Sequence, residues 1–159
     1  MTNMLLVPTH WYSWDFDVTD GQRRLARVEM SAWREKGVLN VDGINHHVYR
    51  EGLGSGDFIL KRDSVVLAKA TKPSAFRSAF TLTYNNREYS VRKRSVWGRA
   101  FVVSEGEGDK ELGSLAPAHW WGRDATAEMP DNWPLHIGVF AIWLALLLWK
   151  REANSGGGS

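Results

Sequence analysis

Between residues 10 and 129, apolar and polar positions alternate with a period of two in short runs broken by turn residues, the pattern of half-buried β-strands. Ala26, Val28, Met30 and Ala32 alternate with Arg27, Glu29 and Ser31, so one face is buried and the other wet. Phe76, Phe80, Leu82 and Tyr84 take one face of a later run, and Arg77, Thr81 and Thr83 take the other. Asp42-Gly43 and Asn85-Asn86 fall between such runs and can adopt the positive φ that a two-residue hairpin needs. The pattern predicts strands near 10–18, 23–33, 37–41, 44–50, 57–62, 64–71, 75–84, 87–94, 99–104, 110–116, 119–122 and 124–129. Gly52 to Gly56 and Gly106 to Asp109 are looser connections, and no internal repeat stands out.

The pattern changes after residue 130. Leu135 to Trp149 carries no formal charge, His136 being its one ionisable group, and Lys150-Arg151 follow. Asp131 or Asn132 can cap a helix that begins at Pro134, where proline costs no hydrogen bond, and runs to about residue 152. The segment is apolar on every side, so it must be buried on every side, in protein or in lipid. Fifteen residues at ~1.5 Å each span ~22 Å, short of the ~30 Å hydrocarbon core of a bilayer. The helix is therefore expected inside the chain's own sheet, and a barrel of about twelve strands is wide enough to hold it. The expected fold is all-β: a closed antiparallel barrel enclosing a hydrophobic C-terminal helix. One domain covers 10–153, with 1–9 as an N-terminal extension and 154–159 as a linker or tag remnant.

Composition narrows the functions. At 159 residues, 43% hydrophobic and 24% charged, the chain has the profile of one folded domain. Its net charge of +2 is too small for a purely electrostatic nucleic-acid binder, and no nucleic-acid partner is expected. The absence of cysteine excludes disulfides, thiol nucleophiles, iron–sulfur clusters and cysteine-ligated zinc. Residues 1–9 lack the features of a secretory signal.

The strongest charge feature is Arg87, Arg92, Lys93, Arg94 and Arg99, next to the run that bears Arg77. The alternation turns Arg77, Arg92 and Arg94 outward, with Trp97 close by. The candidate anion or lipid-headgroup site is thus Arg77, Arg92, Arg94, Trp97 and Arg99. His46 and His47 point to opposite faces of a strand and cannot grip one metal together. His136 is expected at the barrel mouth with a hydrogen-bond partner. Gly52 to Gly56 lacks a following helix and a Walker lysine, so it is a hairpin loop. No carboxylate pair is spaced for acid–base work, so no catalytic set, metal or cofactor is expected. Trp143, Trp149, Trp11, Trp14 and Trp33 are expected to pack the core, whereas one of Trp120 and Trp121 must face outward.

Val65 to Ala70, Phe76 to Leu82, Tyr84 to Tyr89, Trp97 to Phe101, Leu112 to Leu115 and the terminal helix, over roughly Gly37 to Arg151, resemble the tubby C-terminal-like superfamily. That superfamily includes phospholipid scramblases and LURP-one-related proteins, and the likeness is to its small bacterial members. The resemblance implies a twelve-stranded barrel threaded by the helix, and phosphoinositide binding on its outer surface. The chain departs from the scramblases in lacking palmitoylated cysteines, and Asp124, Glu128 and Asp131 are spaced too loosely for a calcium loop. Scrambling and calcium control are therefore not carried over. The expected function is a non-enzymatic binding or scaffold module that meets anionic phospholipid through its outer basic strand face, cytoplasmic and peripheral at the inner face of the membrane. A protein-interaction or structural role without lipid, and a small-ligand carrier, are the alternatives. The oligomeric state is left open.

Overall fold

Strands β1 (Thr2–Pro8), β2 (Phe16–Thr19), β3 (Arg24–Met30), β4 (Gly37–Val41), β5 (Ile44–Arg50) and β6 (Phe58–Arg62) run antiparallel in chain order. So do β7 (Val65–Thr71), β8 (Ala79–Tyr84), β9 (Arg87–Lys93), β10 (Phe101–Glu105), β11 (Glu111–Pro117) and β12 (Ala125–Met129). β12 then pairs with β1, Thr2 opposite Met129 and Leu6 opposite Ala125, so the sheet closes and leaves no edge. The helix α1 (Leu135–Gly156) follows. The computed structural model describes residues 1–31, 33–52, 56–72, 79–106, 108, 110–119 and 121–156.

The interior is one apolar cluster. Inward residues such as Met4, Phe16, Val28, Leu39, Phe58, Phe80, Val91, Phe101, Leu115 and Ala127 meet a helix buried on all sides from Ile137 to Trp149. Thirteen helical residues span ~20 Å, and strands of five to seven residues span ~17–23 Å before tilt, so the apolar part of the helix fits the height of the barrel. No helix among the described residues is long and apolar enough to cross a membrane. Trp143 packs edge-on to Phe58, with ring centroids 5.3 Å apart.

The two ends of the barrel differ. At the end where α1 starts, the connections are mostly tight. Asp42 and Gly43 (φ 50 and 80) and Asn85 and Asn86 (φ 51 and 60) form the hairpin turns that the sequence predicts. At the other end, where α1 emerges, lie the connections spanning 9–15, 31–36, 51–57, 72–78, 94–100 and 118–124.

Several expectations need correction. Residues 2–8 are not an extension but the strand that closes the barrel. Met4 and Leu6 point inward while Leu5 and Val7 stay half-exposed outside, which hid the alternation within an apolar run. Residues 10–15 and the described part of 119–122 are loop instead of strand, and α1 continues past residue 152 to Gly156. Trp11 and Trp33 are exposed in loops, and only Trp14 of that trio packs against the core.

Candidate functional site

Aromatic rings collect at the loop end of the barrel. Trp97 (97% exposed), Trp33 (96%), Trp11 (88%), Trp121 (70%) and Tyr12 (68%) all lie there, and they are the only largely exposed tryptophans and tyrosines among the described residues. They come from four connections that follow one another around the barrel: 94–100, 118–124, 9–15 and 31–36.

Two of these connections are built alike. Thr9-His10-Trp11-Tyr12-Ser13-Trp14-Asp15 and Ala118-His119-Trp120-Trp121-Gly122-Arg123-Asp124 share the order His, Trp, aromatic, two residues, Asp. In each, the first N–H donates to the seventh carbonyl, Thr9 to Asp15 at 2.9 Å and Ala118 to Asp124 at 2.7 Å. The histidine in each stacks on the ring two positions on: His10 on Tyr12 at 5.1 Å and 9°, His119 on Trp121 at 4.9 Å and 10°. A guanidinium then donates to the carbonyls of the second and fifth residues. Arg123 donates to His10 and Ser13, and Arg99 to His119 (3.0 Å) and Gly122 (3.2 Å). Connection 94–100 closes by the same long bond, Arg94 N–H to Ala100 at 2.8 Å, and supplies Arg99 from its own sixth position as 118–124 supplies Arg123. Each loop therefore holds the next.

The helix end anchors this ring of loops. Trp149 Nε1 donates to the Arg99 carbonyl at 2.7 Å, and the Arg99 guanidinium lies 5.8 Å from the Trp149 ring centroid. Lys150 donates to Ser31 at 2.6 Å. Arg151 forks onto Glu35 at 2.5 and 2.8 Å, Arg50 reaches the same carboxylate at 2.9 Å, and Lys93 meets Glu152 at 2.6 Å. The Arg151 hydrogen bond holds the Glu35 carboxyl below its usual range, and burial holds Lys150 below the usual lysine range.

The basic face expected from sequence is divided. Arg77 lies outside the described residues, as do Phe76 and Trp120. Arg94, Trp97 and Arg99 share one connection, and Arg92 stands just before it on β9. Arg94 pairs with Glu111 at 2.6 Å, Arg87 with Glu105 at 3.4 Å, and Arg99 is engaged with backbone carbonyls. Arg92 is half-exposed and makes no ion pair among the described residues. The loop end also carries Arg34, Lys36 and Lys72, and the turn end Arg62 and Lys110, for which the described residues offer no ion-pair partner; the same holds for Asp15 and Asp124 at the loop end and for Asp42 and Asp63 at the turn end.

Elsewhere, Ser13 Oγ, His46 Nε2, Ser104 Oγ and Trp143 Nε1 are buried without a hydrogen-bond partner among the described residues. An open groove of about 540 Å³ beside β1–β3 is lined by His10, Asp15, Asp17, Arg27 and Glu29. Within it Arg27 already pairs with Asp17 at 2.9 Å, and Asp15 accepts the Met30 N–H at 2.9 Å. His46 is buried and His47 exposed, as their alternation requires. His136 makes no hydrogen bond among the described residues, contrary to expectation, and instead stacks on His46 with centroids 5.1 Å apart. No cluster of three metal-ligating side chains occurs among the described residues.

No family model, curated protein or solved structure matches the chain. The sequence already held the signal for the paired loops: His-Trp-aromatic opens, and Asp closes, each of the six-residue segments 10–15 and 119–124. Reading these segments as strands concealed it.

Proposed function

We propose that the protein is a non-enzymatic module that docks on an anionic phospholipid surface with the loop end of its barrel turned toward the lipid. The observation that carries this reading is the coincidence, at one end, of every largely exposed tryptophan and tyrosine described with Arg34, Lys36 and Lys72, cations that have no ion-pair partner among the described residues. Tryptophan and tyrosine suit the membrane–water interface, where an apolar ring meets a polar rim. Each Lys or Arg near an anionic leaflet contributes about 1 kcal/mol of attraction. The ion pairs of Arg87 with Glu105 and of Arg94 with Glu111 argue for this end over the strand face, where Arg92 alone stands without an ion pair among the described residues, and the helix that fills the lumen argues against a carrier.

The test is co-sedimentation with phosphatidylserine vesicles and with phosphatidylcholine vesicles across a salt series. The anionic vesicles should bind the protein at low salt and release it as salt rises. Arg34→Glu with Lys36→Glu should weaken binding by about thirtyfold or more, from ~1 kcal/mol per lost cation. Absence of binding to phosphatidylserine vesicles at low salt would overturn the reading.

A further inference from the structure

Building on the lipid-surface reading, we infer that the barrel docks end-on and that the matched connections 9–15 and 118–124 are a preformed insertion element, which places Trp11, Tyr12 and Trp121, with Trp97 beside them, among the phospholipid headgroups.

The rings add little to the fold. Trp11, Tyr12, Trp97 and Trp121 lie in loops and are largely exposed, so their apolar area is left in water by the folded chain. Their loops are nevertheless held firmly. Each is closed by a bond across seven residues, and in the two matched loops a guanidinium fixes two further carbonyls and a histidine stacks on the ring. Two separate segments have thus converged on one scaffold that keeps rings pointing into solvent. A rigid loop gives up little conformational freedom when its tip is buried, which favours binding through it.

The geometry favours a bilayer as the occupant. The rings come from connections that follow one another around one end of the barrel, each carried on its own hairpin tip. A fluid interface can admit each tip separately, whereas a folded partner would need a matching set of hollows. Arg34 and Lys36 are exposed beside Trp33 in the same connection, so cations that attract phosphates accompany a ring that suits the interface.

Because the chain has no cysteine, one introduced thiol can be labelled uniquely. An environment-sensitive fluorophore is attached to Tyr12→Cys, Trp121→Cys, Thr81→Cys on the outer face of β8, or Ser64→Cys at the turn end. Each is mixed with phosphatidylserine vesicles, with and without brominated acyl chains. End-on docking blue-shifts the labels at 12 and 121 and exposes them to bromine quenching, and leaves those at 81 and 64 unchanged. Trp11→Ser with Trp121→Ser should weaken vesicle binding by about tenfold or more while the thermal midpoint stays near that of the parent. Vesicle binding that buries the label at 81 and leaves 12 and 121 in water overturns the insertion but keeps the lipid reading. No vesicle binding by the unlabelled parent removes both. A blue shift at 12 or 121 that grows with protein concentration in the absence of vesicles marks contact between copies and also overturns the insertion.

Discussion

Gly37 of β4 and Trp143 of the central helix lie so close that no side chain fits between them: a Cβ at Gly37 would stand 2.4 Å from Trp143 Nε1 and 2.4 Å from the Glu29 carbonyl oxygen. The widest side chain of the buried helix is accommodated because the facing strand has none at that position. Gly37→Ala should therefore destabilise the barrel by about 1–3 kcal/mol, the usual penalty of overpacking. The denaturant midpoint should fall with an unchanged slope. Adding Trp143→Phe should recover only part of the loss, because the Glu29 carbonyl belongs to the neighbouring backbone. An alanine variant as stable as the parent would contradict this packing.

The stacked pair His46 and His136 makes stability depend on pH. Burial, then the proximity of His46 and Arg62, lowers the His136 pKa from its ordinary value of 6.5. A histidine with a depressed folded pKa is neutral in the fold but takes a proton when unfolded. Its contribution is complete above about 6.5 and declines as pH falls through the lower folded value. The thermal midpoint should drop between about pH 7 and pH 5, and His136→Leu should flatten that decline. An equally steep decline in His136→Leu would assign the acid sensitivity elsewhere.

Much of the architecture follows from pattern alone, because a half-buried strand and a fully buried helix each leave a periodic trace. The turns at Asp42-Gly43 and Asn85-Asn86 and the helix from Ile137 to Trp149 are of this kind. β1 escaped because Leu5 and Val7 put apolar side chains on the outer face, which erased its alternation. Trp11 and Trp33 were misplaced for the opposite reason: a large apolar ring argues for burial unless something else fixes it in water. Here the fixing agents are Arg123 for the loop of Trp11 and Glu35 for that of Trp33, whose partners lie on other segments that sequence spacing does not bring together.

Glu35 is where the helix end is fastened to the connection that carries Trp33. It accepts from Arg151 and Arg50 and is only partly exposed, and its pKa is lowered chiefly by the Arg151 hydrogen bond. A carboxylate with a lowered pKa stabilises fully above its ordinary value of 4.5, and the effect is lost as pH falls through the folded value. Glu35→Gln should cost about 1 kcal/mol near neutrality, given the partial exposure of the pair. It should also remove a component of the stability loss below about pH 4.5. Urea midpoints at neutral and acid pH, compared between parent and variant, check both; parallel losses in the two would count against the fork.

Arg123 ties the end of one matched loop to the carbonyls of the other, through His10 and Ser13, and its guanidinium lies 5.4 Å from the Trp14 ring centroid. Removing it should loosen residues 9–15 while leaving the barrel intact, since β1 and β2 remain paired from Leu5 to Pro8. In Arg123→Ala, amide exchange at Thr9 should accelerate by about tenfold or more, the equivalent of one to two lost hydrogen bonds at ~1 kcal/mol each. The global thermal midpoint should move little. Arg123→Lys should not restore protection, because a single ammonium lacks the rigid fork that reaches two carbonyls at once. If the lysine variant protects Thr9 as well as arginine does, charge alone holds the loop and the paired-carbonyl grip is not what orders it.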